Sequence, residues 1–258
     1  MSDTVLMVHG MWTGGWLWNN YRKIFEGRGY KCLTPTLRYH NLEYKNNPDE
    51  RLGTTSLLDY ASDLEKEIKK LNEKPIIVGH SMGGMLAQIL GSRGLAKAIV
   101  LLTPALPAGV LDVPPDPESA IKGWGSILAN PNWFKEPMKP NFDEAVYLEL
   151  QLLPENEQKE VYDKWVYESG WASFELTLWQ SDLNKAAFVD KSKVTCPVLV
   201  IAAAEDNCLP PTLIKKVAEY YHGVSTYKEF PNHAHWLVGE PGWQDVTEYV
   251  CDWLSNIR

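Results

Sequence analysis

A chain of 258 residues is long enough for one α/β domain with an inserted segment and too short for two full domains. Its 45% hydrophobic and 22% charged residues describe an ordinary globular protein, with 11 tryptophans as the unusual feature. A formal charge of −8 argues against a nucleic-acid-binding surface and against steering of anionic substrates.

Short apolar runs alternate with helix-period segments, the pattern of a parallel sheet covered on both faces. Thr4–Val8 predicts a first strand running into His9-Gly10, and Tyr30–Thr34 a second. Leu57, Ala61, Leu64, Ile68 and Leu71 recur at helical spacing, with Glu65, Lys66, Glu67, Lys69 and Lys70 on the other face. Pro75–Gly79 is a third strand leading straight to Ser81. Met85, Leu86, Ile89 and Leu90 then mark an amphipathic helix ending near Gly91 or Gly94. Ala98–Thr103 is a fourth strand.

From about Val110 to Asp190 the rhythm breaks. This stretch opens on the Pro-rich Val113–Pro117, holds no convincing strand, and carries Trp124, Trp133, Trp165, Trp171 and Trp179. The expected organisation is a core of residues 1–109 and 191–258 with a helical cap, 110–190, inserted before the last two strands. Pro197–Ala202 and Ser225–Phe230 complete a mostly parallel sheet of about six strands, with helices over Thr212–Tyr221 and Val246–Ile257.

Chemistry concentrates at Gly79-His80-Ser81-Met82-Gly83. A serine that acts as a nucleophile must stand on a turn tight enough to lift its hydroxyl above a sheet, and the flanking glycines relieve the clashes of that turn. Here an apolar strand runs in and a helix runs out, the context the motif requires. Together with His9-Gly10-Met11-Trp12 after the first strand, Asp206 four residues before Pro210, and His235-Trp236, this sequence resembles the α/β-hydrolase superfamily. The resemblance is to its compact serine esterase and lipase-like branch, including the plant methyl esterase and hydroxynitrile lyase group.

A serine hydroxyl needs a base within reach, and this fold orders the set as Ser, acid, His. His233-Ala234-His235 follows the last strand; the resemblance favours His235, with His233 the competitor. Ala203-Ala204-Glu205-Asp206 matches the family's Gly-x-x-Asp pattern except at Ala203, and Asp206 is preferred over Glu205. The expected catalytic set is therefore Ser81, Asp206 and His235. The backbone N–H groups of Met82 and Met11 are the expected oxyanion hole, with Trp12 the neighbouring alternative to Met11.

No cofactor or metal is expected. Gly10–Gly15 has phosphate-loop glycine spacing but Trp16 where lysine is required, and Gly27-Arg28-Gly29 lacks a third glycine at Cys32. His-x-His without a third ligand is a poor metal site. Cys32, Cys196, Cys208 and Cys251 show no metal or paired spacing and read as free thiols in a reducing compartment. The opening residues lack the pattern of a signal peptide, and no apolar run reaches the roughly 18 residues of a membrane span. A cytoplasmic protein is expected.

Within the family the resemblance implies, dehalogenases and epoxide hydrolases carry aspartate at the elbow, and a hydroxynitrile lyase would place lysine where Trp236 stands. The expectation is a carboxylesterase or lactonase acting through an acyl-enzyme on small to medium apolar esters or lactones. Trp12, Trp124 and Trp236 would wall the substrate pocket. Carbon–carbon hydrolysis or thioester cleavage on the same triad, or ligand binding without turnover, are the alternatives.

Overall fold

The structure, a computed structural model, describes residues 3–110 and 117–257. Runs such as Val5–Val8, Ile76–Val78 and Ala98–Leu102 are apolar at every position and buried throughout, as strands covered on both faces must be. In chain order the elements are β1 (Thr4–Val8), α1 (Asn19–Gly27), β2 (Lys31–Leu33), α2 (Leu57–Ile68), β3 (Ile76–His80), α3 (Met82–Ser92) and β4 (Ala98–Leu102). Next come α4 (Pro117–Leu128), β5 (Pro137–Met138), α5 (Phe142–Ala145), α6 (Glu155–Tyr162), β6 (Glu168–Ser169) and α7 (Gly170–Thr177). The strand β7 (Val198–Ala203), α8 (Pro211–Tyr220), β8 (Ser225–Phe230) and α9 (Trp243–Asn256) follow.

Six strands form one sheet in the order β2-β1-β3-β4-β7-β8, and every pairing is parallel. All six expected strands are present, each end displaced by at most one residue. Because parallel strands finish on one edge, the loops after β1, β3, β7 and β8 open on the same side. Those loops carry Met11, Ser81, Asp206 and His235.

Two local expectations need correction, and one helix lies outside them. First, α3 is buried on all sides from Met82 to Gly91 rather than amphipathic, because it lies between the centre of the sheet and the covering layer. The helix outside them is α1, which the sequence pattern does not announce. Its sequence is mostly polar, but Tyr21 and Phe25, one turn apart, are both fully buried, and the Tyr21 hydroxyl donates to the Leu237 carbonyl at 3.2 Å. Second, the segment between β4 and β7 is not wholly helical. It holds the antiparallel ribbon of β5 and β6, whose two-residue strands are too short to register as a period. Of the Pro-rich stretch expected to open it, residues 113–116 lie outside the described residues, and Pro117 begins α4.

This segment is anchored to the sheet-bearing part by buried polar contacts. The Glu168 carboxylate accepts from His40 Nε2 at 2.9 Å, from the Tyr60 hydroxyl at 2.8 Å and from the Ser169 N–H at 2.6 Å. His40 Nδ1 lies 2.8 Å from the Arg38 carbonyl, so both ring nitrogens face acceptors and the ring is held as imidazolium. Burial works against that charge, but Glu168 outweighs it and the His40 pKa is raised. The Glu175 carboxylate accepts from the Ser56 hydroxyl and the Leu57 N–H, at the start of α2. Among the described residues no helix is long and apolar enough to cross a membrane. Cys32, Cys196, Cys208 and Cys251 form no disulfide.

Candidate active site

Ser81 joins β3 to α3 with φ of 52° and ψ of −121°, a strained backbone for any residue with a side chain. Its surroundings enforce the bend. The Ser81 N–H donates to the Leu102 carbonyl at 3.1 Å, and its own carbonyl accepts from Gly84 and Ala105, each at 2.9 Å. A Cβ at Gly79 would overlap the Gly83 carbonyl, and one at Gly83 would overlap that of Val8, so both must be glycine. The side chain keeps a narrow opening, with Ser81 8% exposed. Two surface clefts, of about 350 and 540 Å³, lie elsewhere, beside Arg38 and Asp63 and beside Phe142 and Lys159.

The structure brings the predicted acid and base together. His235 Nδ1 lies 2.7 Å from Asp206 Oδ2, and neither side chain is accessible to solvent. The other oxygen of Asp206 accepts from the N–H groups of Cys208 and Leu209, both at 2.8 Å, which fixes the carboxylate's orientation. Ala203, where the family pattern has glycine, ends β7 and pairs with Phe230. Glu205 is exposed. His233 is engaged elsewhere, 2.8 Å from Glu240 Oε1. Burial disfavours a charged His235, yet Asp206, Glu149 and Glu240 together push its pKa up to about 9. His235 Nε2 has no hydrogen-bond partner among the described residues, Ser81 included; such contacts often tighten only when substrate binds.

Two histidines that the sequence presents only as parts of motifs hold this geometry. His80, inside the elbow, donates from Nε2 to the His235 carbonyl at 2.8 Å, and the two rings lie 4.9 Å apart. His9 donates from Nδ1 to the Gly10 carbonyl at 2.8 Å while its Nε2 accepts from the Leu37 N–H at 3.0 Å. Burial keeps both rings neutral, each pushed down to about 3. The signal available is their place beside Gly10 and Gly79 in the two motifs.

The loop after β1 turns at Trp12, whose φ is 61°, and the Trp12 carbonyl accepts from Val166 at 2.7 Å. The Met82 N–H begins α3 and belongs to the first turn, where helix geometry provides no internal partner. Around this loop the predicted tryptophans gather. Trp12 lies 5.4 Å from Trp124 and 5.4 Å, stacked, from Trp165, which in turn lies 6.1 Å from Trp236. Trp165 is thus the hub that links Trp12 to Trp236. Trp171 instead stacks on Phe174, and Trp133 packs edge-on against Phe134.

A further acidic group belongs to the site. Past α5 the chain widens into a π-helical turn, Val146–Leu150, that carries Glu149 to 3.9 Å from His235 Nε2. Glu149 is 2% exposed, and burial pushes its pKa up to about 7. Sequence reasoning misses it; the visible signal is one acidic residue inside the apolar run Val146–Leu153.

A family model described as the alpha/beta hydrolase family matches residues 5–245. Methylesterase 1 of Arabidopsis thaliana is 24% identical over 220 residues, 80% of this chain and 79% of that protein. Salicylic acid-binding protein 2 of Nicotiana tabacum is 33% identical over 82 residues, but these make up only 31% of this chain and 30% of its own. Among solved structures, the monoacylglycerol lipase of Paleococcus ferrophilus superposes with a TM-score of 0.70 at 19% identity, covering 100% of this chain and 96% of that one. A parallel six-stranded sheet, a strained serine at the end of its third strand and a match over nearly the whole length lead to one statement: the chain belongs to the alpha/beta hydrolase family.

Proposed function

We propose that this protein is a carboxylesterase-type serine hydrolase that cleaves small to medium apolar carboxylic esters or lactones through an acyl-enzyme. The observation that carries the reading is the 2.7 Å contact of His235 with Asp206 beside a serine whose backbone is strained into an elbow. Asp206 holds His235 with its proton on Nδ1, leaving Nε2 to accept the Ser81 proton as the hydroxyl attacks the ester carbonyl. The N–H groups of Met11 and Met82 receive the developing oxyanion, each worth about 3 kcal/mol of barrier. His235 then returns the proton to the leaving alcohol, and water attacks the acyl-enzyme by the same route in reverse.

Residues 110–190 act as the cap over this core of 1–109 and 191–258, and Trp12, Trp124 and Trp236 present apolar walls to the substrate. The tryptophan cluster, and Trp236 rather than a basic residue next to His235, support a neutral apolar ester. Ester substrates are also supported by the names of the relatives, a methylesterase and a monoacylglycerol lipase. The unpaired cysteines support a reducing, cytoplasmic setting. Ser81→Ala should abolish hydrolysis of p-nitrophenyl esters while circular dichroism and melting stay unchanged. Undiminished turnover in that variant removes the proposal. A panel of ester chain lengths, lactones and thioesters identifies the preferred bond.

A further inference from the structure

Most buried carboxylates of this chain are satisfied by protein donors: Glu144 by Ser126 and Asn141, Glu168 by His40 and Tyr60, Asp182 by the N–H groups of Asn184 and Ala186. Glu149 differs. Its Oε2 has no hydrogen-bond partner among the described residues although the side chain is 3% exposed. Leaving such a group unpaired in the interior costs stability, so it calls for a role. Its Oε1 faces His235 Nε2, itself without a partner among the described residues, at 3.9 Å.

The placement is built in. Gln151 Nε2 donates to the Glu205 carbonyl and Asn207 Nδ2 to the Tyr147 carbonyl, both at 2.9 Å. These two bonds clamp the π-helical turn to the loop that bears Asp206, on either side of Glu149. π-Helical turns recur where a side chain must be aimed into a site.

We propose that Glu149 is a positioning residue for the hydrolytic water of deacylation. One oxygen lying about 2.8 Å from each of two acceptors 3.9 Å apart subtends roughly 90° between them, close to the angle between the two O–H bonds of water. One O–H of the water points to Glu149, which keeps it as a hydrogen bond. The other gives its proton to His235 Nε2 as the oxygen attacks the acyl carbon. The tetrahedral intermediate then expels Ser81 Oγ, which takes that proton back, and the acid departs. An alcohol has a single O–H, which His235 uses, so Glu149 favours water over alcohols as the acceptor.

This inference rests on the acyl-enzyme reading above. The test is stopped-flow hydrolysis of p-nitrophenyl butyrate by the wild type and Glu149→Met, with methanol as a competing acceptor and circular dichroism as the control of fold. Above about pH 9, where loss of Glu149 no longer changes the share of neutral His235, the burst rate of acylation should stay within about threefold, while steady-state turnover falls on the order of 10–100-fold. Acylated Ser81 peptide should accumulate, and the ratio of methyl ester to free acid should rise about tenfold. Glu149→Gln, which keeps one acceptor oxygen, should fall between the two. Acylation and turnover falling together, or an unchanged product ratio in a folded variant, overturns the role of Glu149. A Ser81→Ala variant that turns the ester over at the wild-type rate fails the acyl-enzyme reading instead.

Discussion

Replacing Asp206 by Asn exchanges one oxygen for an NH₂ group at nearly constant volume, and the surroundings dictate which way the amide points. Cys208 and Leu209 present two N–H donors to one carboxylate oxygen at 2.8 Å, so the amide oxygen stays there. The NH₂ then faces His235 Nδ1, which must become an acceptor where it had been a donor 2.7 Å from a carboxylate oxygen. The imidazole proton moves to Nε2, the nitrogen that receives the Ser81 proton in the proposed mechanism. The base is then present in the wrong tautomer. A change of this kind costs about 10³–10⁴ in kcat, roughly 4–5 kcal/mol of barrier. Hydrolysis of p-nitrophenyl butyrate at pH 8 measures it, with melting curves to show that the fold survives and ¹⁵N spectra of the imidazole to report the tautomer. An Asp206→Asn variant holding more than a tenth of wild-type kcat would refute the reasoning, because His235 would then not depend on this carboxylate.

Other consequences can be measured separately. With His235 pushed up to about 9 by Asp206, Glu149 and Glu240 against its burial, and neutral His80 beside it, kcat/KM should climb with pH to a plateau above about 9; a plateau reached by pH 7 would contradict this. Glu149, lifted from 4.5 to about 7, favours folding fully below 4.5 and loses that contribution as pH rises through 7. Glu149→Gln should therefore gain stability over the wild type between pH 5 and 8, by up to ~3 kcal/mol in denaturant titrations. His40→Ala strands the buried Glu168 charge and should cost about 3–5 kcal/mol. Since the His40 pKa is raised, that deficit should be full below pH 6.5 and shrink as pH passes through the raised value.

The parts of the fold legible in the sequence are those encoded by neighbours in the chain. Strands such as Ile76–His80 announce themselves as continuous apolar runs, and the elbow by glycines whose necessity a tight turn explains. Position after β7 and β8 narrows the acid to Glu205 or Asp206 and the base to His233 or His235; the family resemblance selects Asp206 and His235, and the structure brings these two into contact. What escapes depends on contacts distant in sequence. The burial of α1 is decided by packing that includes Leu237, more than 200 residues away. His40 reads as a loop residue until Glu168, 128 residues on, gives it a partner. Trp165 is one of several tryptophans in the segment between β4 and β7, and only folding makes it the link between Trp12 and Trp236. Glu149 reaches His235 through a π-helical turn, an irregularity that no 3.6-residue period reveals.

Covalent labelling decides whether Ser81 is a nucleophile activated by His235. Wild-type protein treated with diethyl p-nitrophenyl phosphate should release one equivalent of nitrophenol and lose its esterase activity. Peptide mass spectrometry should then find the diethylphosphoryl group on Ser81, and Ser81→Ala and Asp206→Asn should label far more slowly or not at all. Full esterase activity after treatment, or a stoichiometric adduct on another residue, would contradict it.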